Sequence, residues 1–315
     1  MRRAAAVLAA LTVVALLPAA PAAAAPASVT WTVQPATAAG PDGRRWIERT
    51  LDPGQRVTEH LAVRNLGDAT AVFTLKAADG YLTDKGRFNM LPSDRASVDG
   101  GTWIAVPPTV TVRAGQTAVV PFTIDVPAEV TPGDHPAGIA ASIAGAQGTV
   151  QVESRVGFRL LLRASGTLRP ELTAGDVQAT YERSWNPLRP GRLRVSYTAT
   201  NTGNVRVDAR ARVDGVTTEL GELLPGGSRA AETRVDGVWG LGLVRTIVEL
   251  QPTIPGESAA RPSATVTVTS WVVPWPQLLA LLAAALLLAA WRLRRRRLAS
   301  MLARAREEGR RSAVA

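Results

Sequence analysis

The stretch RVSYTATNTGNVRVDARARV, residues 194–213, gives the clearest indication of the fold class. Apolar and polar residues alternate on both sides of NTGN, residues 201–204, and a period of two indicates β-strands. The same pattern occurs 136 residues earlier in VTEHLAVRNLGDATAVFTLKA, residues 57–77, around NLGD at residues 65–68. We interpret each stretch as a hairpin, because Asn and Gly supply the positive φ angles of tight turns. The repeat therefore predicts two copies of one β-rich unit.

Short β-rich runs separated by Gly, Pro, Asn and Asp fill the rest of the central region. They cover residues 103–106, 109–113, 118–126, 137–144 and 149–163. Many short alternating strands with regularly spaced turns are typical of immunoglobulin-like sandwiches. We therefore predict an all-β protein with two tandem immunoglobulin-like β-sandwiches, residues 26–145 and 146–270, each of ordinary domain size.

The N-terminus has the features of a secretory signal. Two arginines precede an apolar run over residues 4–17, and a stretch of small residues ends near Ala25. The apolar run is too short for a helix that spans a bilayer. We predict a signal peptide at residues 1–25 and an exported mature chain.

A second apolar segment lies near the C-terminus. Residues 278–291 contain only Leu, Ala and Trp. An α-helix from Trp275 to Trp291 would measure about 24 Å, and the flanking apolar residues extend it towards the ~30 Å of a bilayer core. Five arginines follow at the membrane interface that the two tryptophans mark: Arg292, Arg294, Arg295, Arg296 and Arg297. Since basic residues favour the cytoplasmic side, we predict a transmembrane helix at residues 271–293 and a cytoplasmic basic tail at residues 294–315.

The charge distribution agrees with this topology. The formal net charge is +10, but nine arginines lie in residues 292–315, and residues 4–291 hold 25 basic against 24 acidic side chains. The basicity therefore predicts a membrane orientation and no nucleic-acid partner. The tail is interpreted as a topology signal, and a helix lying against the inner leaflet is the alternative.

The sorting signal of wall-linked Gram-positive proteins also ends in an apolar segment followed by arginines. That signal requires an LPxTG pentapeptide before the apolar segment, whereas residues 263–270 read SATVTVTS. We therefore predict a retained, single-pass anchor in the cell membrane, with both sandwiches extracellular and the C-terminus cytoplasmic.

The residue types that most catalytic sites need are scarce. The chain has no Cys and only two His, His60 and His135. His135 follows Asp134 in a Pro-Gly-Asp turn, and the chain contains no G-x-S-x-G elbow, phosphate-binding loop or Asp-rich calcium loop. We predict no enzyme activity, no catalytic residue, no cofactor and no metal site.

One polar stretch, residues 78–92, is too long for a tight turn and too rich in Gly for core strands, so we predict an elaborated loop. Long loops on rigid scaffolds often bind ligands. The candidate ligand-binding residues combine aromatic faces with hydrogen-bonding groups: Asp79, Tyr81, Asp84, Phe88 and Asn89. In the alternative, Tyr81 and Phe88 only hold the loop in place. Trp103 is assigned to the core.

Seven short motifs occur in an order that resembles one known family. They are LDPGQ (51–55), LAVRN (61–65), ADGY (78–81), WI (103–104), VRAGQ (112–116), IDVP (124–127) and PGDHPAGI (132–139). This order resembles the peptidoglycan-binding domain of WxL-interacting cell-surface proteins over residues 29–143. The resemblance implies an immunoglobulin-like fold, a Gram-positive envelope, a membrane anchor with a basic tail and binding to peptidoglycan. It also implies that the second sandwich contacts a surface protein partner.

High Ala and Arg with only two lysines, Lys76 and Lys85, favour an actinobacterial source.

The topology, the repeated sandwiches and the resemblance together predict a membrane-anchored extracellular binding module that contacts peptidoglycan or another cell-wall polymer through its first sandwich. The alternative is a structural or assembly protein that braces or spaces an envelope complex without binding glycan.

Overall fold

The computed structural model describes residues 29–147, 150–257 and 264–312. The predicted signal peptide, residues 1–25, lies outside the described residues. The described part contains two β-sandwiches followed by one long α-helix. The predicted fold class, two immunoglobulin-like sandwiches and one C-terminal apolar helix, is confirmed.

The first sandwich packs two sheets face to face. Its elements are β1 (Trp31–Thr37), β2 (Gly40–Pro41), β3 (Ile47–Leu51), β4 (Arg56–Asn65), β5 (Ala71–Leu82), β6 (Phe88–Met90), a 3-10 helix (Gly100–Trp103), β7 (Ile104–Ala105), β8 (Thr109–Val112), β9 (Thr117–Asp125), β10 (Gly133–Gln147) and β11 (Val150–Ala164). One sheet has the order β2-β1-β4-β9-β7, and the other has the order β3-β11-β10-β5-β6 with β8 beside β5. Alternate side chains point inward, so the two sheets bury a core that includes Leu61, Phe73, Phe122 and Leu160.

The second sandwich is smaller. It contains β12 (Leu172–Glu182), β13 (Gly191–Asn201), β14 (Val207–Val213), β15 (Val216–Leu223), β16 (Ser228–Val238), β17 (Gly242–Thr253) and β18 (Ala264–Val272). The sheet β12-β13-β16 faces the sheet β15-β14-β17-β18. Val195, Tyr197, Val207 and Leu250 lie in the core between them.

Strand β11 belongs to the first sandwich. It pairs with β10 from Gly133↔Ala164 to Gln147↔Val150, and it runs parallel to β3. Its Phe158, Leu160 and Leu162 lie in the first core. The domain boundary predicted between residues 145 and 146 is therefore corrected, because it falls inside a hairpin of the first sandwich. An alternating pattern identifies a strand, but the sheet that the strand joins depends on distant partners.

The two Asn-x-Gly turns, residues 65–68 and 201–204, connect strands of different sheets. β4 pairs with β1 and β9, while β5 lies in the opposite sheet, and β13 and β14 are separated in the same way. The two hairpins predicted at residues 57–77 and 194–213 are therefore wrong. Positive φ does not explain the turns either, because Asp176 and Asp214 are the non-glycine residues with positive φ in the described part of the chain.

The C-terminal helix α1 (Trp275–Ser312) has 38 residues and runs without interruption through the arginine run. At 1.5 Å per residue it is about 57 Å long, so it exceeds the hydrocarbon core of a bilayer. Residues 275–311 have the length and apolar composition of a membrane span. The predicted start of the transmembrane helix at residue 271 is corrected, because Trp271 and Val272 are the last two residues of β18.

Candidate functional site

The predicted ligand loop is largely an extension of the second sheet. β5 continues to Leu82 and pairs with β6 through Gly80↔Met90, Tyr81↔Asn89 and Leu82↔Phe88. Residues 83–87 form the turn, which the Gly86 N–H closes by donating to the Thr83 carbonyl at 2.7 Å. The expected irregular loop is therefore corrected to a two-stranded projection. Its pairing satisfies the backbone of a polar, glycine-containing sequence.

Asp79 organises the chain that leads into the 3-10 helix. Its carboxylate accepts the N–H groups of Val98 at 2.7 Å, Asp99 at 3.0 Å and Gly101 at 2.7 Å. A carboxylate that accepts several backbone N–H groups holds the segment that donates them in place. The structure thus gives Asp79 a part in positioning residues 98–101.

Phe88 and Asn89 lie on a groove of about 510 Å³. The groove lies on the outer face of the sheet that contains β3, β11, β10, β5 and β6. Its lining combines three arginines, aromatic rings, an amide and small floor residues: Arg45, Trp46, Phe88, Asn89, Met90, Ala140, Arg155, Gly157, Phe158 and Arg159. None of these lining residues is acidic. We call this feature the cationic groove.

Phe88 is positioned by glycine on the neighbouring strand segment. A Cβ placed on Gly80 would lie 2.5 Å from two carbon atoms of the Phe88 ring. Beneath this hairpin, Ala78, Met90 and Ala140 form a small buried cluster. Gly80 therefore allows the Phe88 ring to approach the backbone of β5 closely.

The three arginines of the groove differ in their surroundings. The Arg159 guanidinium lies 4.7 Å from the centre of the Trp46 ring, a cation–π contact. Arg155 donates to the Leu91 carbonyl at 2.9 Å. Arg45 is exposed and makes no ion pair with the described residues. The groove therefore offers aromatic faces next to cations that retain unused donors.

Sequence reasoning missed Arg45, Trp46, Arg155 and Arg159. The signal for the last two was present, since arginines recur at even intervals along β11 and residues two apart share a face of a strand. Trp46 and Arg45 precede β3, which joins this sheet through a parallel pairing with β11. No local sequence pattern predicts that pairing.

The other predicted site residues lie apart from the groove. Tyr81 lines a separate cleft of about 180 Å³ that also includes Pro136 from the first sandwich and Leu224 and Arg229 from the second. The Asn89 amide donates to the Tyr81 hydroxyl at 3.2 Å, so the two residues are still linked. Asp84 is exposed in the turn between β5 and β6. The structure thus brings Phe88 and Asn89 together and places Asp79, Tyr81 and Asp84 elsewhere.

A chain of alternating charges joins the two sandwiches. The buried Arg206 guanidinium of the second sandwich donates to Glu48 of the first at 2.5 Å and lies 3.7 Å from Glu222. Glu222 in turn accepts from Arg159 at 3.1 Å. Arg159 therefore belongs both to the cationic groove and to the interface between the sandwiches.

The turn that contains Asp134 provides a second set of contacts across the interface. The Asp134 N–H donates to the Asn204 carbonyl at 2.8 Å, and the Asp134 carboxylate accepts the Arg206 N–H at 2.7 Å. Gly133 has φ +131°, and the Asn204 carbonyl occupies the position that a Cβ would need. The hydrogen bond from Arg163 to Asp134 raises the pKa of Arg163 even though its burial lowers it. Asp134 is thus a structural residue of the interface.

His135 is held inside the first sandwich. Its Nδ1 lies 2.5 Å from the Asp99 carboxylate, its Nε2 lies 2.9 Å from the Thr131 carbonyl, and its ring centre lies 4.5 Å from that of Trp103. Burial lowers the pKa of His135, but the hydrogen bonds to Asp99 and Thr131 outweigh it and raise the pKa above its ordinary value. Trp103 is buried, so its assignment to the core is confirmed.

Across residues 29–147, 150–257 and 264–312, no group of three or more His, Asp or Glu side chains is arranged to hold a metal ion.

No protein-family model matches this chain, and no curated protein matches it. The class 5 fimbriae chaperone CfaA is similar in structure, with 13% identity, coverage of 78% of this chain and 100% of that chain, and a TM-score of 0.36. The E. coli chaperone DraB has 14% identity, coverage of 78% and 98%, and a TM-score of 0.33. A PapD-like domain of human CEP192 has 13% identity, coverage of 48% and 95%, and a TM-score of 0.28. These values limit the likeness to an immunoglobulin-like arrangement of strands.

Proposed function

We propose that the protein is a surface binding module of a Gram-positive envelope, anchored by α1 in the cell membrane. Both sandwiches lie outside the cell, and the basic end of α1 lies in the cytoplasm. The apolar segment of the helix and the arginines that follow Trp291 support this topology. The first sandwich binds peptidoglycan or another cell-wall polymer in the cationic groove.

The observation that carries this proposal is the composition of the groove. Wall polymers combine sugar rings with carboxylates or phosphates. Trp46 and Phe88 offer faces on which a sugar ring can stack, and the Asn89 amide offers hydrogen bonds. Arg45 and Arg155 supply guanidinium donors, which match the geometry of carboxylate and phosphate oxygens. No lining residue repels an anion.

Sedimentation with insoluble peptidoglycan tests the proposal. The full chain is solubilised in detergent, mixed with the polymer and centrifuged at low and moderate salt. We expect the wild type in the pellet, and we expect Arg45→Gln and Phe88→Ala to weaken retention by about tenfold, since a lost contact of about 1.4 kcal/mol has that effect.

Arg113→Gln is the matched control. Arg113 is likewise exposed, but it lies in the turn between β8 and β9 and does not line the groove. We expect this variant to sediment like the wild type. If Arg45→Gln and Arg113→Gln lower the retention on peptidoglycan equally, the binding is non-specific charge attraction. That result would contradict binding in the groove.

A role as a brace or spacer is the second candidate. The ion pairs around Arg206 and the hydrogen bonds from the Asn204 amide to Pro132 at 2.8 Å and Thr167 at 2.9 Å connect the two sandwiches firmly. Two sandwiches joined by several contacts suit an assembly role in which no glycan is bound. A full chain that stays in the supernatant at every salt concentration would favour this function.

A protein partner of the second sandwich is the remaining part of the proposal. Purification of the intact protein from its native membrane, followed by mass spectrometry of what accompanies it, tests this part separately from wall binding.

A further inference from the structure

One end of the second sandwich exposes an unusual number of large apolar side chains. Six of them have 46% to 84% of their surface exposed: Trp185, Leu188, Trp239, Leu241, Leu243 and Trp271. They lie in the connection from β12 to β13, in the connection from β16 to β17, and at the paired ends of β17 and β18. Contiguous apolar surface on a protein domain marks a site of interaction with another apolar phase or molecule.

The strand register places these residues at the same end. Glu182↔Arg192 closes the β12–β13 connection, Gly191↔Val238 brings it next to the end of β16, and Leu243↔Trp271 pairs the start of β17 with the end of β18. The apolar side chains therefore form one tip, which we call the apolar tip.

The connections of the tip are fixed by Tyr181. Its hydroxyl donates to the Val238 carbonyl at 3.0 Å and accepts the N–H groups of Gly191 at 3.2 Å and Gly240 at 3.0 Å. A Cβ on Gly240 would meet both the Tyr181 ring and Val272. These bonds fix the backbone where both connections begin or end.

The apolar tip lies where α1 begins. β18 ends at Val272, and the helix starts at Trp275. The Gln277 amide in the first turn of the helix donates to the Pro187 carbonyl of the β12–β13 connection at 3.3 Å. If the helix enters a bilayer at Trp275, the tip lies at the surface of the same leaflet.

We propose that the apolar tip docks into the outer leaflet of the membrane that α1 spans. The tryptophans occupy the interfacial layer, which suits their apolar rings and polar N–H, and Leu188 and Leu241 reach the acyl chains. Arg183 and Arg189, both exposed in the β12–β13 connection, contact lipid phosphates. This inference rests on the membrane span of the proposed function. A docked tip fixes the orientation of the second sandwich relative to the bilayer.

Because the sequence contains no Cys, a single introduced cysteine can be labelled site-specifically. The full chain carrying Leu188→Cys or Leu241→Cys is labelled with an environment-sensitive fluorophore and reconstituted in nanodiscs of phosphatidylcholine and phosphatidylglycerol. We expect blue-shifted emission and at least a twofold loss of intensity when lipids with a shallow spin-label quencher are included. Val98→Cys is the matched control, because Val98 is 90% exposed in a loop of the first sandwich. Its label should show neither the blue shift nor the quenching by spin-labelled lipid.

A label at Leu286→Cys, in the apolar part of α1, separates the two proposals. If deep quenchers do not affect this label, the membrane span itself is wrong. If they quench it while the labels at residues 188 and 241 remain unquenched, the span stands and docking of the tip is overturned. Labels at the tip that are shielded from a water-soluble quencher but not quenched by lipid would indicate a protein surface instead, which also overturns lipid docking.

Discussion

Asn201 makes in the second sandwich the same three side-chain hydrogen bonds that Asn65 makes in the first. The Asn65 amide donates to the carbonyls of Ala69 at 2.8 Å and Val112 at 3.0 Å, and its oxygen accepts the Gly67 N–H at 2.9 Å. The corresponding bonds of Asn201 join it to Val205 at 2.8 Å, Leu223 at 3.0 Å and Gly203 at 3.0 Å. Both side chains are fully buried. The repeated asparagine thus stabilises a turn that crosses from one sheet to the other.

Replacing either asparagine by alanine should destabilise its own sandwich strongly. Asn201→Ala leaves the buried carbonyls of Val205 and Leu223 without their donor, and Asn65→Ala does the same to the buried carbonyl of Val112. We therefore expect each variant to lose about 2 to 3 kcal/mol in the free energy of unfolding. Urea denaturation of the full chain in detergent, followed by circular dichroism, measures this loss. Asp68→Ala is the control in the same turn, because Asp68 is exposed, and it should change the free energy by less than about 0.5 kcal/mol. Equal effects of Asn65→Ala and Asp68→Ala would contradict the role of the buried amide.

The stability of the first sandwich should fall as the pH rises above about 6.5. Burial lowers the pKa of His135 in the folded state, but the hydrogen bonds to Asp99 and Thr131 raise it above its ordinary value, so protonation stabilises the folded state. That stabilisation is complete below the unfolded pKa and is lost as the pH rises through the folded pKa. Urea midpoints measured across this range test the prediction.

Asp99→Asn should flatten this pH dependence, because it removes the carboxylate that hydrogen-bonds to His135. His135→Gln should flatten it further by removing the titrating group. A slope that survives in the His135→Gln variant would show that another group is responsible.

Tyr81 should affect wall binding through Asn89. The Tyr81 hydroxyl accepts the Asn89 amide, but Tyr81 itself lines the cleft between the sandwiches. We expect Asn89→Ala to weaken retention on peptidoglycan by about tenfold and Tyr81→Phe, which removes only the acceptor, by about threefold. Both variants should keep a melting temperature within a few degrees of the wild type. Stronger loss with Tyr81→Phe than with Asn89→Ala would place the direct contact at Tyr81.

Removing the charge of Arg206 should loosen the interface between the sandwiches. Arg206 is 7% exposed and pairs with Glu48 across the interface, so Arg206→Met leaves Glu222 with one partner fewer. We expect faster amide hydrogen exchange in residues 132–136, whose Asp134 N–H donates to Asn204. Arg210→Met is the control, because Arg210 pairs with Glu219 inside the second sandwich. Unchanged exchange at residues 132–136 in the Arg206 variant would contradict this role.

Only part of the candidate site could be predicted from the sequence. Phe88 and Asn89 could be predicted because an aromatic ring and an amide occur together in a polar stretch, and such residue types are recognisable from the local sequence. Trp46, Arg155 and Arg159 were not identified, because they come from β11 and the segment before β3. These segments meet only through a parallel pairing of residues more than a hundred positions apart.

Three features could be predicted from the sequence: the number of sandwich units, the strands that alternate in polarity, and the long apolar helix. These features depend on side chains that are close neighbours along the chain, where periodicity and hydrophobic length act directly. Three others depend on the three-dimensional fold: the Asn-x-Gly turns cross between sheets, β11 completes the first sandwich, and the apolar tip lies beside Trp275. A period of two determines which face of a strand is buried, but the partner strand is chosen by backbone hydrogen bonds and core packing between distant segments.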